Sequence, residues 1–277
     1  MTEHRLKMPR LASGDGPLFA LGTTLVVFLA LPFLGLVTTT SFRDLLAGLE
    51  NPLVWPALRL SLFTTTASLA VVVAFGTPLA WLLARRRGRL ARAIETGMQL
   101  PIVIPPAVAG IALLLAFGRH GLVAGVVYPH GESAAFTTAA VVMAEVFVSA
   151  PFFVQAATSA FRRIDANLLV VARSFGASPQ RLFVRVGLPL AAPGLVAGAA
   201  MSWARALGEF GATLMFAGNM TGKTQTLPLA IYTALESDLR AAQALALVLT
   251  TVAFGLLVGV RAGLANATPA VSEGART

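Results

Sequence analysis

Residues 60–84 read LSLFTTTASLAVVVAFGTPLAWLLA and contain no charged side chain. A helix that crosses a membrane needs about 20 consecutive apolar residues. Because every peptide group in hydrocarbon must find a hydrogen bond within the chain, such a run folds as a helix. Three arginines, residues 85–87, follow directly. This stretch therefore predicts a transmembrane helix with a basic cluster at one end.

Five further stretches on either side of it have similar length and character. Four contain at most one charge, and residues 188–216 contain two, Arg205 and Glu209. The alternating segments of about 10 residues that are typical of a membrane β-barrel do not occur. We predict an all-α, polytopic membrane protein whose six transmembrane helices cover residues 17–40, 60–84, 96–118, 133–161, 188–216 and 241–260.

The composition supports a membrane protein over a soluble one. Of the 277 residues, 56% are hydrophobic and 12% charged, whereas about a quarter of a soluble domain is charged. The net charge of +9 comes from short clusters between apolar runs, so membrane topology explains it better than a nucleic-acid partner does. The chain has no cysteine, and its three histidines form no metal-ligand pattern. We therefore expect it to bind no nucleic acid, metal or cofactor.

The distribution of lysine and arginine predicts the orientation. If the N-terminus is cytoplasmic, six spans return the C-terminus to the cytoplasm, and most basic residues then lie on that side. The predicted organisation is a cytoplasmic N-terminal segment, a membrane domain with its largest basic loop between the fourth and fifth spans, and a cytoplasmic tail. Their bounds are residues 1–16, 17–265 (loop 162–187) and 266–277.

The loop between the fourth and fifth spans has a distinctive pattern. Residues 162–189 read RRIDANLLVVARSFGASPQRLFVRVGLP. Apolar residues from Leu168 to Phe175 recur at helical spacing, and Gly176 follows as a possible C-cap. Ser178 and Pro179 then resemble an N-cap and a first helical position. An amphipathic helix of this kind suits either an anionic membrane surface or a groove on a partner protein, and the residues alone favour neither.

This loop resembles the EAA loop of ABC-type importer permeases, whose pattern is E-A-A, three residues, Gly, nine residues, I-x-L-P. Gly176 is followed by nine residues and then by VGLP, while Val170 stands at the Glu position, which removes any contact that depends on that charge. In that family the loop inserts into a groove on the ATPase subunit. The resemblance thus implies an ATPase-coupling role for Val170, Val171, Ala172, Arg173, Ser174, Phe175, Gly176, Ala177, Leu188 and Pro189.

The resemblance covers most of the chain. Residues 59–87 and 100–118 are similar to the core helices of the family, and residues 203–232, WARALGEFGATLMFAGNMTGKTQTLPLAIY, resemble molybdate permeases closely and sulfate permeases less closely. The resemblance implies a type I ABC importer-like fold in the cell membrane. It implies transport of a tetrahedral oxyanion, molybdate or tungstate, with sulfate or thiosulfate as the alternative.

The same resemblance implies the partners. They are a second copy of this chain, two copies of an ATPase subunit that uses ATP and Mg²⁺, the lipid bilayer, and an extracytoplasmic oxyanion-binding protein that approaches the outer loop at residues 219–240. The chain itself is then a transport subunit and not an enzyme. The segment GNMTGKT at 218–224 is nearly a phosphate-binding P-loop, but it has the wrong glycine spacing and follows a span.

Charges within the predicted spans are candidates for the translocation pathway or a gate. Arg205 and Glu209 are four residues apart and can pair on one helix face; Arg205 could line an anion path, or the pair could only fix helix packing. Glu145 could pair with Arg205 or Arg59 from another helix, or be protonated. Two glycines beside Glu209 would allow close helix approach at a dimer seam or gate. The candidate set is Arg205, Gly208, Glu209, Gly211, Arg59 and Glu145.

Two other classes of protein remain to be considered. A stand-alone secondary carrier would need carboxylates for coupling ions or inverted repeats, and the sequence offers the isolated Glu145 and no detectable repeat. A membrane-embedded enzyme would need clustered His, Asp or Glu. The loop around Gly176 favours the importer, because neither alternative uses it.

Overall fold

Helices make up most of the computed structural model, which describes residues 16–86, 88–127 and 133–267 and contains no strand within those ranges. Arg87, His4, His130, most of the predicted N-terminal segment and most of the tail lie outside these residues. The helices are α1 (Gly16–Thr39), α2 (Phe42–Leu49), α3 (Val54–Arg85), α4 (Arg89–Gly97), α5 (Leu100–Val103), α6 (Pro106–Phe117), α7 (Ala124–Val127), α8 (Thr138–Arg162), α9 (Ala166–Ser174), α10 (Pro179–Leu182), α11 (Leu188–Leu207), α12 (Gly211–Ala217), α13 (Leu227–Ser237) and α14 (Leu239–Ala267).

Five helices of the described chain are long and apolar enough to cross a membrane. They are α1, α3, α8, α14 and a continuous helix over Pro179–Leu207 that joins α10 to α11. The segments Arg89–Val103 and Pro106–Phe117 meet the same test as a pair, although they are bent by 116°. The six predicted spans therefore correspond to five long helices and this bent pair.

The predicted bounds of the third span, residues 96–118, were wrong, because the bent pair begins at Arg89; the two adjacent prolines explain the bend. Ile104 and Pro105 have extended backbones, with ψ of 143° and 138°. A residue that precedes proline is driven away from the helical region, and here two in succession precede one. The helix consequently stops at Val103 and starts again at Pro106.

The prediction of a fifth span over residues 188–216 was also wrong, because α11 ends at Leu207 and α12 starts only at Gly211. Glycine has a low helix propensity, and Gly208 and Phe210 are not helical. The predicted outer loop at 219–240 contains α13, which packs against α3 and α14. Its Leu227, Leu229 and Ala230 are fully buried.

Three apolar clusters hold the helices together. One joins α6, α8 and α12, a second joins α3, α13 and α14, and the third joins α3, α8 and α11. Helix α1 lies outside all three, and its side chains are largely exposed. As it is apolar throughout, it is suited to contact with lipid.

Small residues allow α11 to approach α8 closely. A Cβ atom at Gly194 would lie 2.5 Å from Cβ of Ala160, and one at Gly198 would lie 2.8 Å from Cβ of Ala156. Both distances are too short for two carbon atoms that are not bonded, so no side chain fits at either position. The two glycines, four residues apart, therefore form a small-xxx-small motif that packs α11 against α8 within the chain.

We expect Gly198→Leu to lower the free energy of unfolding by about 1–3 kcal/mol, the usual cost of overpacking a tight core. Thermal unfolding in detergent measures it. Gly255→Leu on α14 is the matched control, since nothing lies within 4 Å of a Cβ atom there. Equal losses in the two variants would contradict the assignment of Gly198 to a tight contact.

Candidate functional site

The amphipathic helix predicted in the basic loop is α9, and local capping sets its limits. The side chain of Asp165 accepts a hydrogen bond from the N–H of Asn167 at 2.9 Å, which caps the start. Gly176 has φ of +79°, a conformation that glycine adopts without strain. Ser178 accepts a hydrogen bond from the N–H of Arg181 and Pro179 opens α10. The helix, glycine turn and second helical start lie where the sequence predicted them.

Helix α9 has no buried residue, although it is rich in apolar side chains. Leu168 and Val171 are about half exposed, at 51% and 52%, and Phe175 is 87% exposed. Exposure of these apolar side chains to water is unfavourable in free energy, and exposed apolar patches commonly mark interaction sites. Ala166, Leu169, Val170 and Arg173 line the opposite side, which faces the ends of α3 and α8.

The second half of the loop is not a separate helix, in contrast to the prediction. Residues Phe183–Gly187 form a π-helical turn that continues into α11. Pro189 lacks an N–H and its ring displaces the carbonyl of Arg185. The N–H of Leu188 bonds instead to the carbonyl of Phe183, five residues earlier. Leu188 and Pro189 thus lie inside one rod that runs from the glycine turn to Leu207.

Three aromatic rings connect this rod to the bundle. Trp81 of α3 lies 5.2 Å from Phe161 of α8 and 5.3 Å from Phe183 of the π-helical turn, measured between ring centroids. Gly187 lies directly against Trp81, and a side chain there would clash with the indole ring. These contacts hold the π-helical turn, and with it the start of α11, against α3 and α8.

At the far end of the rod, Arg205 and Glu209 form the predicted pair. The guanidinium donates to Glu209 at 2.6 Å, and the carboxylate is buried while 27% of the arginine side chain is exposed. The second oxygen of Glu209 accepts the N–H of Ala212 at 2.7 Å. Glu209 lies between α11 and α12 and not on a continuous helix. Its carboxylate binds Arg205 at the end of α11 and the N–H of Ala212 at the start of α12, so it links the two helices.

The two glycines beside Glu209 are in different environments. A Cβ atom at Gly211 would lie 2.8 Å from Pro106, so this glycine allows α12 to contact α6 of the same chain. Gly208 is exposed, and a Cβ atom there would make only an ordinary contact with the carbonyl oxygen of Ala204, at 3.8 Å. The prediction that Gly211 permits close approach thus holds within the chain, and the dimer seam stays a prediction for Gly208.

Glu145 does not pair with an arginine in the described residues, in contrast to both predicted partners. It is buried on α8 and accepts a hydrogen bond from the hydroxyl of Thr64 on α3 at 2.8 Å. Its other oxygen is buried and has no hydrogen-bond partner. Arg59 is exposed near the start of α3. Neither Glu145 nor Arg59 therefore forms an ion pair with Arg205 or Glu209 in the described part of the chain.

A row of hydroxyl groups on α3 was missed by the sequence analysis. Ser61 accepts the N–H of Leu227 at 2.7 Å, and Thr65 accepts the indole N–H of Trp203 at 2.9 Å. Together with Thr64 they tie α3 to α8, α11 and α13. The signal was available, since the hydroxyls at 61, 64, 65 and 68 share one helical face within an apolar run.

Comparisons with known proteins agree with this architecture. The sequence model of the family described as "Binding-protein-dependent transport system inner membrane component" matches residues 76–266. The "Molybdenum transport system permease protein ModB" of Mycobacterium tuberculosis is 46% identical over 86% of this chain and 90% of its own length. The "Molybdate/tungstate transport system permease protein WtpB" of Pyrococcus abyssi is 35% identical over 87% of this chain and 92% of its own length.

Solved structures show the same fold at low sequence identity. A chain of a bacterial ABC transporter involved in the import of alginate matches with a TM-score of 0.73 and 14% identity, over 92% of this chain and 96% of that one. A chain of the MetNI methionine ABC transporter in an inward-facing conformation matches with a TM-score of 0.64 and 19% identity, over 78% and 96%.

Proposed function

We propose that this chain is the membrane-spanning subunit of an ATP-driven importer for molybdate or tungstate. The premise is its family: the chain belongs to the binding-protein-dependent transport system inner membrane components. The names of the two relatives support this substrate class, because each covers most of the chain. Residues 203–232, which carry the resemblance to molybdate permeases, form the end of α11, α12 and the start of α13.

The exposed apolar face of α9 is the observation that carries the coupling part of the proposal. It lies at the free end of a rod that leads through the π-helical turn and α11 to the Arg205–Glu209 pair. A groove on an ATPase subunit would cover Phe175 and Val171, in the manner of other helix-in-groove contacts. Movement of the ATPase would then pass from α9 through the turn at Gly176 and along the helix over Pro179–Leu207 to Arg205.

The proposed assembly has two copies of this chain and two ATPase subunits, each of which binds ATP and Mg²⁺. One docking helix per chain engages one ATPase, so a pair of ATPases requires a pair of chains. An extracytoplasmic binding protein delivers the anion to the side of the bundle that bears α13. The basic clusters at residues 85–92 and 162–185 face the cytoplasm.

Arg205 is our candidate for the anion pathway. Its guanidinium is part-exposed while its partner carboxylate is buried, so it can present positive charge to an anion without leaving Glu209. A fixed positive charge would offset the dehydration of an oxyanion within the membrane. Gly208, which is exposed beside it, leaves room for a second chain or for the anion.

Uptake into proteoliposomes tests this function. The chain is reconstituted with its ATPase and binding protein, and radiolabelled molybdate, tungstate and sulfate are compared with and without ATP. We expect ATP-dependent uptake of molybdate and tungstate, with sulfate at least about tenfold lower. Uptake that is equal without ATP would contradict the importer, and a preference for sulfate would contradict the substrate class.

A further inference from the structure

A cavity of about 660 Å³ lies between the inner side of α9 and the ends of α3 and α8. Four arginines line it, together with apolar side chains that include Phe161 and Val170. We call it the arginine pocket; its arginines are Arg85, Arg86, Arg162 and Arg173.

The positive charge of this pocket is only partly compensated in the described structure. Arg162 pairs with Glu95 of α4. Nη2 of Arg85 is buried and has no hydrogen-bond partner, and the guanidinium is fixed over the ring of Trp81 at 3.5 Å from its centroid. A buried charged donor without an acceptor is costly. The Trp81 ring compensates part of the charge of Arg85, and Arg86 and Arg173 form no ion pair among the described residues, so an anionic ligand would find a net positive charge in the pocket.

The position of the pocket indicates what kind of anion it takes. Arg85 and Arg162 are the last residues of two helices that are long enough to span a membrane, so we expect the pocket to lie near the membrane surface. Arginine binds phosphate through paired N–H groups. Phe161 and Val170 offer an apolar wall for the glycerol and upper acyl carbons of a lipid. Basic pockets between spans are suited to anionic headgroups.

The docking face of α9 is a different surface. Phe175, Val171 and Leu168 point away from the pocket, and they do not line it. An ATPase that contacts Leu168, Val171 and Phe175 would leave the arginine pocket open; in this arrangement Val170 and Arg173, which the resemblance counts among the ATPase-coupling residues, line the pocket instead. From this geometry we propose that the arginine pocket binds the phosphate headgroup of an anionic phospholipid and that the lipid holds α9 against the bundle.

Binding of a soluble short-chain lipid to the purified full chain tests the proposal. Dihexanoyl phosphatidylglycerol is titrated in a neutral maltoside detergent, and the tryptophan fluorescence is followed, because Trp81 lies under Arg85. We expect saturable binding that is at least about tenfold tighter than that of dihexanoyl phosphatidylcholine. Loss of one charge-assisted hydrogen bond in Arg173→Gln should weaken it by about tenfold.

Two further variants sharpen the test. Val170→Glu places a carboxylate among the arginines, at the position where the importer-permease pattern has glutamate, and should displace the lipid. Arg163→Gln is the matched control, because Arg163 is exposed in the same loop and does not line the pocket; its affinity should stay within about twofold of the native value.

Equal losses in Arg163→Gln and Arg173→Gln would overturn the site, because they would indicate a general surface charge. Equal affinity for the two lipids would overturn it too. If inorganic phosphate at an equal concentration displaces the lipid, the pocket binds a soluble anion, and the proposal of a lipid site is overturned. Lipid binding is measured without ATP or binding protein, so its failure would not bear on the transport proposal.

Discussion

Phe175→Asp is expected to abolish ATP-dependent uptake while the chain remains folded. Phe175 is 87% exposed at the end of α9, so its replacement removes no contact within the chain. In the docked assembly the aromatic ring would be an anchor of the kind that dominates interfaces, with a cost of about 2 kcal/mol or more on truncation. A carboxylate in an apolar groove adds a desolvation cost. Affinity for the ATPase should fall by about 30-fold or more.

Two comparisons make this prediction specific. Phe175→Leu keeps an apolar side chain and should retain most of the affinity. Leu122→Asp makes the same chemical change at a residue that is 90% exposed near the opposite end of the bundle, and it should leave affinity for the ATPase unchanged. Affinity is measured on purified subunits, and thermal unfolding confirms that each variant is folded. Native affinity in Phe175→Asp would show that α9 is not the docking helix.

The local features of α9 could be predicted because neighbouring residues determine them. The caps and the turn depend only on residues a few positions away in the sequence. Helix caps are formed by Asp165 and by Ser178 with Pro179, and the turn is formed by Gly176 with its positive φ. The pairing of Arg205 with Glu209 was predictable for the same reason. The family and the all-α membrane fold are confirmed by the comparisons, whereas the coupling and pathway roles stay predictions.

The features that escaped prediction depend on distant parts of the chain. The hydroxyl of Ser61 accepts a hydrogen bond from a residue 166 positions away, and Thr64 bonds to Glu145 across 81 positions. No pattern within a single run identifies such partners. The prolines at 105 and 106 indicate an interrupted helix, but the sequence does not give the bend of 116°. The arginine pocket was also hidden, because its arginines come from two basic segments, at 85–86 and 162–173, that meet only on folding.

Substitutions at Arg205 and Glu209 are also expected to have large effects. A single and a double variant together show whether the pair stabilises the fold, takes part in transport, or does both. Glu209→Gln keeps an oxygen for the N–H of Ala212 but removes the charge that Arg205 binds. An arginine left without its partner in a mostly buried site should cost about 3 kcal/mol of stability. Thermal unfolding in detergent measures this loss.

The double variant Arg205→Met with Glu209→Gln removes both charges and keeps the acceptor for α12. Stability should return close to native, because replacement of both members of a buried pair is often neutral. We expect molybdate uptake to stay at least about tenfold below native, since the pathway has lost its fixed positive charge. Arg205→Lys, which keeps that charge, should retain more uptake than the double variant does. If uptake recovers together with stability in the double variant, the pair only fixes the break between α11 and α12, and the anion pathway must lie elsewhere.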